Sequence, residues 1–161
     1  MQREWSADPN DDEADTTDDA DVGSVSDGTS AADDARESVY GLLQRGHQLM
    51  LGRHYAQAAT VLARASRLEP GKGSILEALG RACYNSGQHA RAAETFERLL
   101  EVDPSAHYAH YALGQSQKQL GRVREARTHL RLAVALSPNS RLYAAALARL
   151  GPAPEKPRLD P

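Results

Sequence analysis

Six histidines and a single cysteine are the side chains of this 161-residue sequence best suited to metal or nucleophilic chemistry. His107 and His110 stand three residues apart at the expected start of a helix, and His54 and His89 fall in corresponding turns. No cysteine or carboxylate completes a ligand set with either pair, so packing or surface roles are expected and no metal is. Cys83 follows Leu79 at an apolar position and has no base placed beside it, which marks a buried small hydrophobe rather than a nucleophile. Gly71-Lys72-Gly73-Ser74 resembles the end of a phosphate-binding loop but lacks the upstream glycine and a preceding strand, so it reads as a turn. No catalytic residue and no cofactor are expected: the sequence reads as a non-enzyme. One constellation remains. Arg124, Arg127 and Arg131 recur at three and four residues, on one helix face, with Arg122 and Arg141 nearby, a candidate anion site for phosphate, a polyanion or the chain's own acidic segment.

Charge divides the chain. Residues 1–37 carry 13 acidic side chains against Arg3 and Arg36, whereas residues 38–161 carry nine acids against 17 bases. The stretch Asp8–Asp34 is mostly Asp, Ala, Ser, Thr and Gly, too poor in apolar surface to offset the entropy of ordering, so 1–35 is expected to be a disordered acidic tail. Gly151-Pro152-Ala153-Pro154, then Pro157 and Pro161, predict a short proline-rich tail over 151–161. The folded part is expected at 36–150. One cysteine excludes an internal disulfide, the first residues lack a basic end followed by an apolar run, and no stretch is long and apolar enough for a bilayer; the expectation is a cytoplasmic protein with no membrane partner.

A period of 34 residues organises the middle of the chain. Pro70, Pro104 and Pro138 keep it, as do Gly46, Gly80 and Gly114, Ala58, Ala92 and Ala126, and Leu62, Phe96 and Leu130. Within each copy, apolar residues recur at helical spacing in two runs, for example Val39, Leu42, Leu43, Gly46, Leu49 and Met50, then Ala58, Val61, Leu62, Ala65 and Leu68. Each unit therefore reads as a helical hairpin, over about 39–72, 73–106 and 107–140. Gly52, Gly87 and Gly121 are expected to stop the first helices, Ser74 with Glu77 to form a capping box, and Asn139 or Ser140 to cap a last helix over 141–149.

These columns, with Leu79-Gly80 and Leu113-Gly114, resemble the tetratricopeptide repeat over about 39–138, and the chain is similar to small stand-alone bacterial members of that family. The resemblance implies an all-α fold: a right-handed superhelical stack of three helix-turn-helix repeats plus a C-terminal capping helix. Arg45, where Leu79 and Leu113 stand in the other copies, and Leu99, where Ala65 and Ala133 are small, depart from the pattern. The resemblance also implies a concave groove that takes a peptide or helix, lined here by Tyr40, Leu43, His47, Met50, Ser74, Glu77, Arg81, Tyr84, Tyr108, Tyr111, Gln115 and Lys118. Relatives that grip the C-terminal carboxylate of chaperones use a five-residue clamp of cations and amides; its positions here hold Leu43, His47, Ala78, Tyr108 and Ala112, so a terminal carboxylate would be desolvated unpaired. The leading expectation is a protein-interaction scaffold or adaptor; alternative: a nucleic-acid or ribosome-associated binder using the arginine surface, shielded by the acidic tail. Self-association through Tyr40, Leu43 and Leu51 at the open first hairpin is a third outcome.

Overall fold

The computed structural model describes residues 38–152; the acidic tail expected at 1–35 and the proline-rich stretch from Ala153 onward lie outside the described residues. Among the described residues there are seven helices and no strand: α1 Val39–Leu51, α2 Tyr55–Leu68, α3 Gly73–Asn85, α4 His89–Val102, α5 His107–Gln119, α6 Val123–Leu136 and α7 Arg141–Ala148. Each packs on its neighbours in the chain, and α1, α3 and α5 also touch in succession. The result is three antiparallel hairpins stacked side by side, closed by α7.

Small residues decide how closely the two helices of a hairpin approach. A Cβ built on Gly80 would lie 2.6 Å from Phe96 Cζ, one on Gly46 2.5 Å from Leu62 Cγ, and one on Gly114 2.8 Å from Leu130 Cγ. In each hairpin a large apolar side chain therefore occupies the volume a glycine vacates, sixteen residues before it in sequence. Leu99 follows the same logic: it is buried, and its Cδ1 would lie 3.4 Å from a Cβ on Gly73, so the bulky departure from the repeat is met by the smallest residue opposite. Arg45 is exposed because, among the described residues, no helix precedes α1 to bury it, whereas Leu79 and Leu113 face a preceding hairpin.

The turns inside the hairpins repeat one another. His54, Gln88 and Arg122 each donate their backbone N–H, at 2.8 Å, to the carbonyls of Leu49, Cys83 and Gln117, the six-residue closure of a Schellman motif. That motif needs one residue at positive φ. Gly87 (78°) and Gly121 (76°) supply it, but the first hairpin uses Arg53 (60°), while Gly52 sits at −79°. Gly52 is thus one residue out of register with the two glycines it was expected to match.

Two further starts differ from or refine the sequence reading. Helix α3 begins at Gly73 because the Lys72 carbonyl accepts from the N–H groups of Ile75 and Leu76; Ser74 is already inside the helix and caps nothing, so the expected capping box is not formed. Ser38 and Ser140 are true caps, accepting from Gly41 N at 3.0 Å and Tyr143 N at 3.4 Å. Tyr143 and Ala146 of α7 are buried against Tyr111, Leu130 and Ala133, covering the far end of the stack. At the near end Tyr40 and Leu51 are 71% and 72% exposed.

Candidate partner-binding groove

Helices α1, α3 and α5 are the first members of the hairpins, and the residues expected to line a groove lie on them. The structure draws some of these together and leaves others apart. Glu77 and Arg81, one turn apart on α3, form a loose pair (Oε1 to Nη1 4.0 Å) with both side chains partly exposed. Their charges act on the phenol of Tyr108, whose burial holds its ionisation far above the usual tyrosine range. Tyr108 packs edge-on to Phe96 (6.3 Å between centroids) and lies 6.3 Å from Tyr111. Tyr84, half-buried, meets His89 edge-on at 5.1 Å, and its hydroxyl accepts from Gln119 Nε2 at 3.5 Å, joining α3 to α5. Gln115 Nε2 donates to the Tyr111 hydroxyl at 3.2 Å. Arg81 Nε is buried with no hydrogen-bond partner among the described residues.

Several expected lining residues behave differently. Tyr111 is 2% exposed and stacked on Tyr143 at 4.9 Å, so its ring is packed inside the stack and is not presented to a partner. Tyr40 projects from the open end and bonds along its own helix, its hydroxyl accepting from Gln44 Nε2 at 3.0 Å. Met50 and Leu43 are half-buried against the core cluster, while His47 and Lys118 are exposed. Gln119, Tyr143 and Arg149 were not anticipated here. Arg149 acts on the Tyr111 phenol, and the signal for it was present: extending the column His47, Arg81, Gln115 by another 34 residues reaches 149. Burial raises the Tyr111 and Tyr143 phenols as well, so these hydroxyls stay neutral and can donate or accept at any physiological pH.

The arginine surface is only partly what the spacing implied. Arg127 donates to three carbonyls, Gly151 (2.7 Å), Pro152 (3.1 Å) and Leu150 (3.2 Å), so its guanidinium closes the C-terminal end of α7. Arg122 faces Glu125 at 3.8 Å. Arg124, Arg131 and Arg141 are exposed, but the central member of the expected anion site is committed to the fold.

Two histidines pack together between α5 and α6. His110 Nε2 lies 3.1 Å from the Pro104 carbonyl, which can only accept, so that nitrogen carries the proton; its Nδ1 then accepts from His129 Nδ1 at 3.1 Å. The two rings stack at 5.4 Å. Burial, and then the neighbouring His110, depress the ionisation of His129. Among the described residues no group of three or more His, Cys, Asp or Glu is placed to hold a metal ion. Cys83 is fully buried and its thiol is pushed up by that burial. No described helix is long and apolar enough to cross a membrane.

Comparison with known proteins places this geometry. The small glutamine-rich tetratricopeptide repeat-containing protein 2 of Mycosarcoma maydis is 35% identical over 57 residues, 35% of this chain and 16% of that protein, so the chain matches only a small part of it. The first repeat domain of Spaghetti (RPAP3) bound to an HSP90 peptide superposes with a TM-score of 0.66 at 16% identity, over 70% of this chain and 89% of that one. The Yersinia enterocolitica type III secretion chaperone SycD, in complex with a peptide of the translocator YopD, gives 0.64 at 18% identity, over 70% and 91%. The pattern of the tetratricopeptide repeat family matches residues 43–95 and 77–141, and with Gly46, Gly80 and Gly114 each seated against its large partner at the family's spacing, the chain belongs to the tetratricopeptide repeat family.

Proposed function

We propose that the protein is a non-enzymatic, cytoplasmic interaction module that holds an extended segment or helix of a partner protein along α1, α3 and α5. The observation that carries this reading is the centre of that face: the partly exposed, loosely paired Glu77 and Arg81 beside Tyr108. The exposed part of the Arg81 guanidinium can donate to a partner's backbone carbonyl, and the rigid faces of Tyr84 and Tyr108 offer contact area at little conformational cost. Two solved structures similar in fold are held with peptides, which supports a peptide ligand as the class. A chaperone's terminal carboxylate does not suit this groove, because Leu43, His47, Ala78, Tyr108 and Ala112 stand at the clamp positions and Ala78 and Ala112 are buried. The lone, buried Cys83 fits a reducing compartment.

The test is capture of partners from host lysate by the full chain, at low and high salt, with and without nuclease. A discrete protein retained at high salt and lost on Arg81→Ala with Tyr84→Ala is the expected result. Capture that disappears with nuclease or with salt would transfer the function to nucleic acid and the arginine surface.

A further inference from the structure

The second helices of the first two hairpins, α2 and α4, border a cleft of about 230 Å³. Arg67, Arg91 and Arg98 line it against one carboxylate, Glu94, and the buried hydroxyl residues Ser66 and Thr95 stand among them. Arg98 donates to Ser66 Oγ (3.2 Å) and the Pro70 carbonyl (3.3 Å), and Arg91 to Gln88 Oε1 (3.1 Å), so both guanidiniums are oriented by neutral oxygens and keep their charge available to an anion. The cleft continues toward the start of the stack, where Arg67 and Arg64 share a second depression with Leu42 and Leu68. Because α1 and α2 are antiparallel, the last turn of α2 lies beside the first turn of α1, which begins at Val39.

The chain arrives at that point with the opposite charge. Asp27, Asp33, Asp34 and Glu37 fall within the eleven residues before Ser38, opposed only by Arg36. The described stack has fifteen Lys and Arg against seven Asp and Glu. Eleven residues span up to about 35 Å, so reach does not limit contact with a cleft that starts one helical turn away. Tethering supplies a millimolar-scale effective concentration, enough for a multivalent but individually weak set of charge contacts.

We propose that the cleft between α2 and α4 binds acidic polypeptide, and that its resident ligand is the chain's own segment 27–37, lying across Arg67, Arg91 and Arg98. The acidic segment then engages the first two hairpins, not the arginines of the last one, and leaves the groove on α1, α3 and α5 open. Any acidic partner of this cleft must displace it.

A nitroxide attached at Ser30→Cys in the full chain tests this by paramagnetic broadening of backbone amides; fully buried Cys83 does not compete for the label. At low salt the amides of 64–67 and 94–98 are expected to lose intensity about twofold or more, and to recover at about 1 M salt, where screening acts within roughly 3 Å. Arg67→Gln with Arg91→Gln should abolish the broadening, whereas Arg67→Lys with Arg91→Lys should retain it; the dispersion of the same spectra reports whether each variant is folded. Broadening that ignores salt, spreads evenly over the stack or centres on α3 and α5 would overturn the proposal. So would broadening unaffected by Arg67→Gln with Arg91→Gln, or a cleft whose amides shift only on adding an oligonucleotide.

Discussion

Tyr143 of the last helix lies stacked on Tyr111 of α5, centroids 4.9 Å apart and planes 26° apart, while its hydroxyl makes a 2.8 Å hydrogen bond with His107 Nδ1. One side chain thus ties α7 both to the middle of α5 and to its start. Tyr143→Ala should cost about 3–5 kcal/mol, as for other buried aromatic truncations, and increase iodide quenching or proteolysis at Tyr111. Tyr143→Phe keeps the stack and loses the hydrogen bond, at about 1 kcal/mol. Chemical denaturation of both variants separates the two contributions.

Gly80 offers a second measurement. Adding its missing methyl forces the Phe96 ring to move, and overpacking of this kind costs about 1–3 kcal/mol. Gly80→Ala should therefore lower the unfolding midpoint clearly. Gly71→Ala, where a Cβ meets nothing within 4 Å, should be neutral or slightly stabilising.

At Arg53 the same turn geometry that two glycines satisfy is imposed on a side chain with a Cβ. Arg53→Gly should stabilise the chain by a few tenths to about 1 kcal/mol, and Gly87→Ala should destabilise it by about as much, since left-handed backbone costs a non-glycine residue roughly 1–2 kcal/mol. Thermal unfolding with opposite signs for the two exchanges is the expected outcome.

The His110–His129 pair sets a pH dependence. Burial and the adjacent ring lower the folded-state ionisation of His129 below its unfolded value, with Glu125 opposing weakly. The unfolded chain therefore takes up the proton first, and the stability contributed above about pH 6.5 is lost as the pH falls through the folded-state value below it. Unfolding midpoints should drop on acidification through this window, and His129→Gln should flatten the profile.

The hairpins were legible because close packing needs a small residue opposite a large one at a fixed separation, and Gly46, Gly80 and Gly114 write that need directly into the sequence. The family match, over 43–95 and 77–141, spans all three of these glycines. Tyr111 was not legible as buried, because what covers it is Tyr143, 32 residues away on α7, and the 34-residue spacing does not pair those two positions. The partners of Arg127 were hidden for a related reason: its spacing on α6 matches its neighbours, but the carbonyls it meets belong to the chain's return past α7. Periodicity reports a residue's place on its own helix and is silent on whether a distant segment comes to meet it.

Among the described residues the main contacts between hairpins run between those adjacent in the chain, and each hairpin is built on the same 34-residue spacing. Length is consequently an adjustable property of this molecule. A duplicate of residues 73–106 spliced in after Ala106 would present to its neighbours the two faces that this hairpin already presents, so the stack would gain a rung without requiring a new kind of interface. The distance spanned by a bound segment could then be set in increments of one hairpin, and the order in which partner residues are read would follow the order of repeats in the chain.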